Sequence, residues 1–388
     1  MPKMISALCA LLSCVTLQAC GPGEADAPIS TGSGRLVIVG GALQADNESV
    51  YEAVIDGREG DGPLCVVPTA SNEPREAIDR AVERLTRLGG PGSAKGVLIS
   101  TEDPSRAREP NVVAELTTCS GFFFTGGSQS RILDVFLPAG DTTEAYHVLW
   151  QRWQEGAVVA GTSAGAAMMS RMMISGGGSN EAVAHGVAAG SGDDGVRIRQ
   201  GMGFFEPILD QHFLARGRFG RLLVSVIQAD LPHIGLGIDE NTALVVDGDS
   251  AVVVGASGVV VVDGRLAQRT APNRASGVRV ILAGTGDVVD LETLEVGRAG
   301  VKRSIPVTEP SLALPDDPFA RWALLHLFAD LSASVAREAV FNLPGATLRI
   351  AEDTGFSASM RGSAGGVEST PSGFSAGPFR VDLLGPGS

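Results

Sequence analysis

Residues Gly161-Thr162-Ser163-Ala164-Gly165 directly follow the apolar run Ala157-Val158-Val159-Ala160. An apolar run this short reads as a buried strand. The residues after it, Ala166-Ala167-Met168-Met169, favour a helix. Strand, tight turn and helix form the context in which G-x-S-x-G presents a serine. The turn tolerates only small neighbours, and it lifts the hydroxyl to the end of a sheet where a substrate reaches it. Ser163 is therefore a candidate nucleophile, with the backbone N–H of Ala164 as a candidate oxyanion donor. The plain alternative is a Gly-Ser loop joining two core elements.

The chain before Ser163 repeats the same rhythm. Arg35-Leu36-Val37-Ile38-Val39-Gly40-Gly41 and Leu64-Cys65-Val66-Val67-Pro68 read as buried strands. Thr69 to Pro74 carries N-cap candidates and a proline at a helix start. Ile78, Val82, Leu85 and Leu88 then recur at helical spacing until Gly89-Gly90 stops them. Gly96 to Ser100 and Gly121 to Thr125 are further short apolar runs. This alternation predicts an α/β fold, with a mostly parallel sheet flanked by helices and a nucleophile elbow at its carboxyl edge. Gly126-Gly127 falls at the same edge. Gly127 is a second candidate oxyanion donor, and Gln129 is placed to bond a substrate backbone. Ser175 to Gly203 is long, polar and Gly-rich, and is expected to form a mobile loop beside the site. From Leu236 to Gly264, valine-rich runs alternate with Asp-Gly-Asp-Ser, Ala-Ser-Gly and Asp-Gly. These are hairpin signals, and they predict later antiparallel strands attached to the parallel sheet. After Val301 the pattern becomes a C-terminal extension, helical over Asp317 to Asn342 and then Gly/Ser-rich with short strand-like pieces.

A serine nucleophile needs a base, and the base needs an orienting group. Asp210-Gln211-His212-Phe213 supplies the leading histidine, polar residues held in an apolar frame. For the acid, Glu240 lies at a strand start beside Asp239; neighbours on a strand point opposite ways, and the sequence does not choose between them. The order Ser163, His212, Glu240 departs from that of the α/β-hydrolases, where the acid precedes the histidine. Arg216, Arg218 and Arg221 follow His212 closely. Guanidinium forks bind carboxylates at two points, so these arginines suit a substrate carrying carboxylates. Surface ion pairs with nearby acids are their plain alternative.

The 388 residues are 44% hydrophobic and 19% charged, with a formal net charge of −14. That disfavours nucleic acid and anionic lipid as partners, since both attract basic surfaces. Met1-Pro2-Lys3 and the apolar stretch Ile5 to Leu17 read as a signal peptide, too short to span a bilayer comfortably. Leu17-Gln18-Ala19-Cys20 is similar to the lipobox of bacterial lipoproteins, in which the cysteine (here Cys20) is lipidated and becomes the mature N-terminus. The expectation is an exported chain, lipid-anchored at the bacterial cell envelope or secreted, with membrane contact only through the anchor. Cys65 and Cys119 then remain, and an oxidising compartment permits a disulfide between them; two separate buried thiols are the alternative. No C-x-x-C or clustered His/Cys pattern points to a metal.

Six pieces run in order: Leu36 to Gly41 (LVIVGG), Val66 to Pro74 (VVPTASNEP), Gly121 to Gln129 (GFFFTGGSQ), Ala160 to Ser170 (AGTSAGAAMMS), Asp210 to Arg221 (DQHFLARGRFGR) and Gly237 to Thr242 (GIDENT). In these pieces, over roughly Arg35 to Leu294, the chain resembles the cyanophycinases, serine peptidases related to peptidase E, the aspartyl dipeptidase. The DQHF segment with its spaced arginines is the specific part. The resemblance implies cleavage of cyanophycin, a poly-aspartate chain with arginine on each β-carboxyl, to β-Asp-Arg dipeptides without metal or cofactor. It implies Ser163 as nucleophile, His212 as base and Glu240 as orienting acid. Gln129, Asp210, Gln211, Arg216, Arg218 and Arg221 would line the pocket, with Asp210 suited to the substrate guanidinium. Ser128 departs from the pattern, because family members commonly carry aspartate there; the acidic residue often found after the first Gly-Gly is also missing. Three readings follow: a cyanophycinase, a related peptidase for short aspartyl or isoaspartyl peptides, or a non-catalytic binding lipoprotein. A homodimer is compatible with each. The expected organisation is a signal peptide with lipobox over 1–20, a flexible linker over 21–34, a peptidase domain over 35–300 and the extension over 301–388.

Overall fold

Four of the apolar runs become parallel strands, β1 (Leu36–Val39), β2 (Leu64–Val67), β4 (Gly121–Phe124) and β5 (Val158–Thr162), and a fifth, β3 (Ala94–Gly96), ends where the expected run Gly96 to Ser100 begins. They lie in the order β3-β2-β4-β5-β1. The computed structural model describes residues 34–190, 194–271, 273–298, 302–360 and 373–387. The expected signal peptide, the lipobox with Cys20 and nearly all of the linker lie outside the described residues.

Every residue of β1, β2 and β4 is buried, as a parallel sheet covered on both faces requires. Alternate residues serve opposite faces. Val37, Val39, Val66 and Phe123 pack with Val50, Tyr51 and Val54 of α1 (Glu48–Asp56) and Leu85 of α2 (Pro74–Gly89). Leu36, Ile38, Phe122 and Phe124 pack on the other face. There they meet Leu116 of α3 (Pro110–Leu116), Phe136 of α4 (Gln129–Phe136) and Trp153 of α5 (Glu144–Gln154). Ser163 follows β5 directly and leads into the short α6 (Ala164–Ala167). Cys65 in β2 and Cys119 just before β4 are joined by a disulfide across neighbouring strands, which settles the open choice in favour of the bridge.

The Ser175 to Gly203 segment is not the open loop its composition predicts. Strand β6 (Met172–Gly176) pairs with β7 (Arg197–Gln200), and α7 (Ser179–His185) lies between them. Its end is held by Tyr146 Oη and Trp150 Nε1, which both donate to the Met202 carbonyl, and Trp150 stacks on Phe204. Glycine content hid a pairing partner more than twenty residues away.

The antiparallel strands form as expected, but they are divided between two sheets. Strands β10 (Thr242–Asp247) and β11 (Ser250–Gly255) extend the first sheet, β10 pairing antiparallel with β1. Strands β8 (Ile208–Asp210), β9 (Ile234–Ile238) and β12 (Gly258–Asp263) belong to a second sheet, and α8 (Phe219–Val226) connects β8 to β9. The C-terminal extension completes that second sheet. Its strands Ala346–Met360 and Ser375–Leu384 pair with each other, and the latter pairs with Arg274–Gly284. The helix expected over Asp317 to Asn342 covers only Ala323–Ala333, and Glu338–Leu343 is a strand along Ala346–Met360. Cross-strand pairing there overrides a helix-like pattern. Among the described residues no helix is long and apolar enough to cross a membrane.

The disulfide closes a loop of 54 residues, which should restrict the unfolded chain strongly. Replacing both Cys65 and Cys119 by alanine is expected to cost about 2–5 kcal/mol in urea unfolding. Unchanged stability would mean that the bridge constrains nothing beyond what sheet pairing already does.

Candidate active site

The site forms where the carboxyl ends of β1, β4 and β5 meet the loop after β8. Ser163 occupies a left-handed conformation with φ 56°, as a nucleophile elbow demands. Its N–H donates to Val39 O at 2.9 Å, tying the elbow to β1. Gly161 and Gly165 cross so closely that a side chain on either would overlap backbone, which explains the small residues of the motif. Ala164 is the first helical residue, so its N–H has no acceptor within the helix and is free for an oxyanion. Gly126 faces Ser163, and Gly127 beyond it lies against the Ala70 carbonyl.

The His212 imidazole bridges the serine and the acid. Nδ1 is 2.6 Å from Glu240 Oε1, and Nε2 is 2.9 Å from Ser163 Oγ. An ionised carboxylate only accepts, so Nδ1 carries the proton and donates to Glu240. Nε2 is then left with its lone pair towards the Ser163 hydroxyl. Gln211 Oε1, 3.3 Å from the same hydroxyl, offers a second and longer acceptor. The sequence left Asp239 and Glu240 undecided; the structure brings Glu240 to the histidine. Asp239 points into the protein, fully buried, and accepts from the Ala215 N–H at 3.0 Å and from Ser257 Oγ at 2.7 Å. Burial pushes its carboxyl up to about 6. Its place is to hold the loop that follows His212.

The expected pocket residues divide in the same way. Asp210 is 1% exposed and meets Arg221 through two hydrogen bonds, Nε to Oδ2 at 2.6 Å and Nη2 to Oδ1. Arg218 adds a longer contact to Asp210 at 3.5 Å and donates to Gln211 O at 2.6 Å. Burial lowers Arg218 to about 10. The expectation that Asp210 awaits a substrate guanidinium gives way here: its charge is already met by two arginines of its own chain. Arg221 also donates to Gly177 O at 2.8 Å, and Gln129 Nε2 donates to Ile174 O at 2.9 Å. Both therefore anchor the β6–β7 segment. Arg216 is half exposed and 3.8 Å from Glu240.

Burial lowers the His212 pKa below its usual 6.5; Glu240 opposes that, while Arg216 and Arg218 reinforce it. The imidazole is thus neutral near pH 7 and free to accept a proton. Beside Ser163 and His212 opens a cleft of about 320 Å³, large enough for a small peptide segment. Tyr51, Arg80 and Arg84 line it, and the sequence reading missed all three. Their signal was faint: two arginines four residues apart on α2, with no hint that this face looks towards the serine. Among the described residues no group of three or more His, Cys, Asp and Glu is placed to hold a metal.

Two outcomes test this assignment of charges. In an NMR titration, His212 should lose its proton below pH 6.5; Arg216→Ala should raise that midpoint by removing a cation, and Glu240→Gln should lower it. Asp210→Asn leaves two buried guanidiniums without their counter-charge and is expected to cost about 3–5 kcal/mol in denaturant unfolding. A stable variant would return Asp210 to the list of groups open to substrate.

The model of peptidase family S51 matches residues 36–254. A cyanophycinase from Synechococcus elongatus is 32% identical over 246 residues, 61% of this chain and 72% of the relative. One from Nostoc sp. is 33% identical over 245 residues, 62% of this chain and 76% of the relative. A crystal structure of a peptidase from an acI-B1 Actinobacterium aligns with TM-score 0.44 and 23% identity, over 62% of this chain and 96% of that one. The family model covers more than half of the sequence, and the chain belongs to peptidase family S51 as a serine-type peptidase.

Proposed function

We propose that this peptidase degrades cyanophycin to β-Asp-Arg dipeptides, with Ser163 as nucleophile, His212 as general base and Glu240 as orienting acid. The observation that carries the reading is the unbroken chain from Ser163 Oγ through His212 to Glu240 on a strained elbow, in a protein whose relatives are cyanophycinases. Ser163 Oγ attacks the scissile carbonyl while Nε2 of His212 takes its proton. Glu240 stabilises the imidazolium that forms. The negative oxygen turns towards the N–H groups of Ala164 and Gly127. As the tetrahedral intermediate collapses, His212 returns the proton to the leaving amine. Water, activated by the same histidine, then releases the acyl group and restores the serine.

The chemistry of the substrate fits the site. Cyanophycin carries both guanidinium and carboxylate groups, and the cleft beside Ser163 presents arginines to the latter. A peptidase for short aspartyl or isoaspartyl peptides is the second reading; Ser128, in place of the aspartate common in the family, is what favours it. We also propose an exported protein, lipidated at Cys20 or secreted. The lipobox-like Leu17-Gln18-Ala19-Cys20 and the Cys65–Cys119 bridge, which suits an oxidising compartment, support this.

The test is incubation of the chain without its first twenty residues with purified cyanophycin, followed by mass spectrometry. β-Asp-Arg should accumulate, and Ser163→Ala should slow its release about 10⁴-fold or more. Intact polymer alongside hydrolysed β-aspartyl dipeptides would move the assignment to the second reading.

A further inference from the structure

The cleft beside Ser163 has one wall made by a single helix face. Ala77, Arg80, Ala81 and Arg84 of α2 recur at the spacing that aligns side chains on one side of a helix, and all four line the cavity. The alanines are short and leave room. The arginines are long and reach over it. Across the cleft stands Tyr51 of α1, buried, whose hydroxyl accepts from Arg84 Nη1 at 3.4 Å.

These two guanidiniums differ from the others near the site. Arg221 and Arg218 are matched by Asp210, and Arg216 lies near Glu240. Among the described residues Arg80 and Arg84 make no ion pair, and the Tyr51 hydroxyl is the one hydrogen-bond partner of either. In a chain of net charge −14, two unmatched cations on the wall of the cavity that holds Ser163 and His212 form a local anion site. A guanidinium presents its donors in a planar fork suited to a carboxylate.

We infer that Arg80 and Arg84 form a carboxylate-binding subsite that selects substrates carrying a free carboxylate beside the scissile bond. Tyr51 restrains the Arg84 side chain at the edge of that subsite. The substrate class rests on the function proposed above: in cyanophycin each arginine is attached through its amino group, so its own carboxylate is free to enter the fork. The subsite itself rests only on the cleft and its unmatched charges.

Kinetics of Arg80→Ala, Arg84→Ala, the double variant and Arg84→Lys test the inference. The substrates are a cyanophycin oligomer and the same oligomer with its arginine carboxylates amidated. Each alanine variant should raise KM on the native oligomer about tenfold, with kcat within about threefold, and Arg84→Lys should recover part of the loss. Amidation should weaken the parent enzyme by a similar factor and the double variant hardly at all. Unchanged KM in the double variant, or losses from mutation and amidation that multiply, would overturn the subsite. Both substitutions install a good helix former in α2, so folding should survive; thermal unfolding followed by circular dichroism checks it. If the parent enzyme cleaves neither oligomer, the proposed function fails separately. Calorimetry of N-acetyl-aspartyl-aspartate with Ser163→Ala then decides the subsite. Binding that vanishes when Arg80→Ala and Arg84→Ala are added supports it; equal binding, or none to Ser163→Ala itself, overturns it.

Discussion

The hydrogen bond from the His212 N–H to the Gly40 carbonyl, 2.6 Å long, joins the two sheets at the site. Ser163 rides on the first sheet and His212 follows β8 of the second. Their 2.9 Å contact therefore depends on how the sheets dock. One further main-chain bond fixes the same junction, Asn241 N–H to Gly41 O at 2.8 Å, while Gly40 N–H to Thr242 O at 2.9 Å continues the β1–β10 ladder beside it. Gly41 permits the approach. Its φ is 103°, and a β-carbon there would overlap the His212 ring. The glycine pair that ends β1 thus serves the histidine rather than a ligand. Misplacement by about 1 Å at such a junction can cost two orders of magnitude in rate, so small residues there matter as much as the catalytic groups.

Four residues of this junction, Ala42, Ser163, His212 and Asn241, have positive φ without being glycine. Such conformations cost of order 1–3 kcal/mol each and persist only where the surroundings over-determine them. The surroundings are identifiable. Arg221 and Arg218 grip Asp210 just before the histidine, and Asp239 holds the Ala215 N–H just after it. Asn47 and the Gln44 N–H bond to Asn241. The C-terminal extension adds its weight: Trp322 N–H donates to Leu214 O at 2.9 Å, and Phe319, Leu324 and Phe328 share a core cluster with Phe213 and Phe219. Among its described residues the extension holds no group that reaches Ser163. It backs the loop that presents the histidine.

Local patterns were readable in the sequence, and partnerships were not. The elbow around Ser163 and the helix of α2 announce themselves because their constraints act over a few neighbouring residues. His212 and Glu240 stood out through the motifs around them, but the choice of Glu240 over Asp239 needed the ring's position. Asp210 and Arg221 looked like substrate contacts because both are charged and near the histidine. That they neutralise each other is a fact of distance between β8 and α8, which no spacing rule supplies. Likewise the β6–β7 pairing and the long strands of the extension were hidden by glycine and serine, residues that read as loops until a partner strand supplies the hydrogen bonds. Arg80 and Arg84 were plain helix-surface residues until the fold turned their face towards the serine.

Charge organises what remains. The acidic surface favours approach of a cationic group, whereas the cleft itself carries unmatched cations. A substrate bearing guanidinium and carboxylate together satisfies both, the first on encounter and the second on seating. Burial keeps the imidazole a base, and two other arginines help: Arg216 and Arg218 disfavour a proton on His212, and Glu240, the nearest carboxylate, limits how far they do so. A carboxylate seated on the arginine wall would add a further negative charge to the cavity and ease formation of the imidazolium. In that arrangement substrate binding and proton transfer draw on one field.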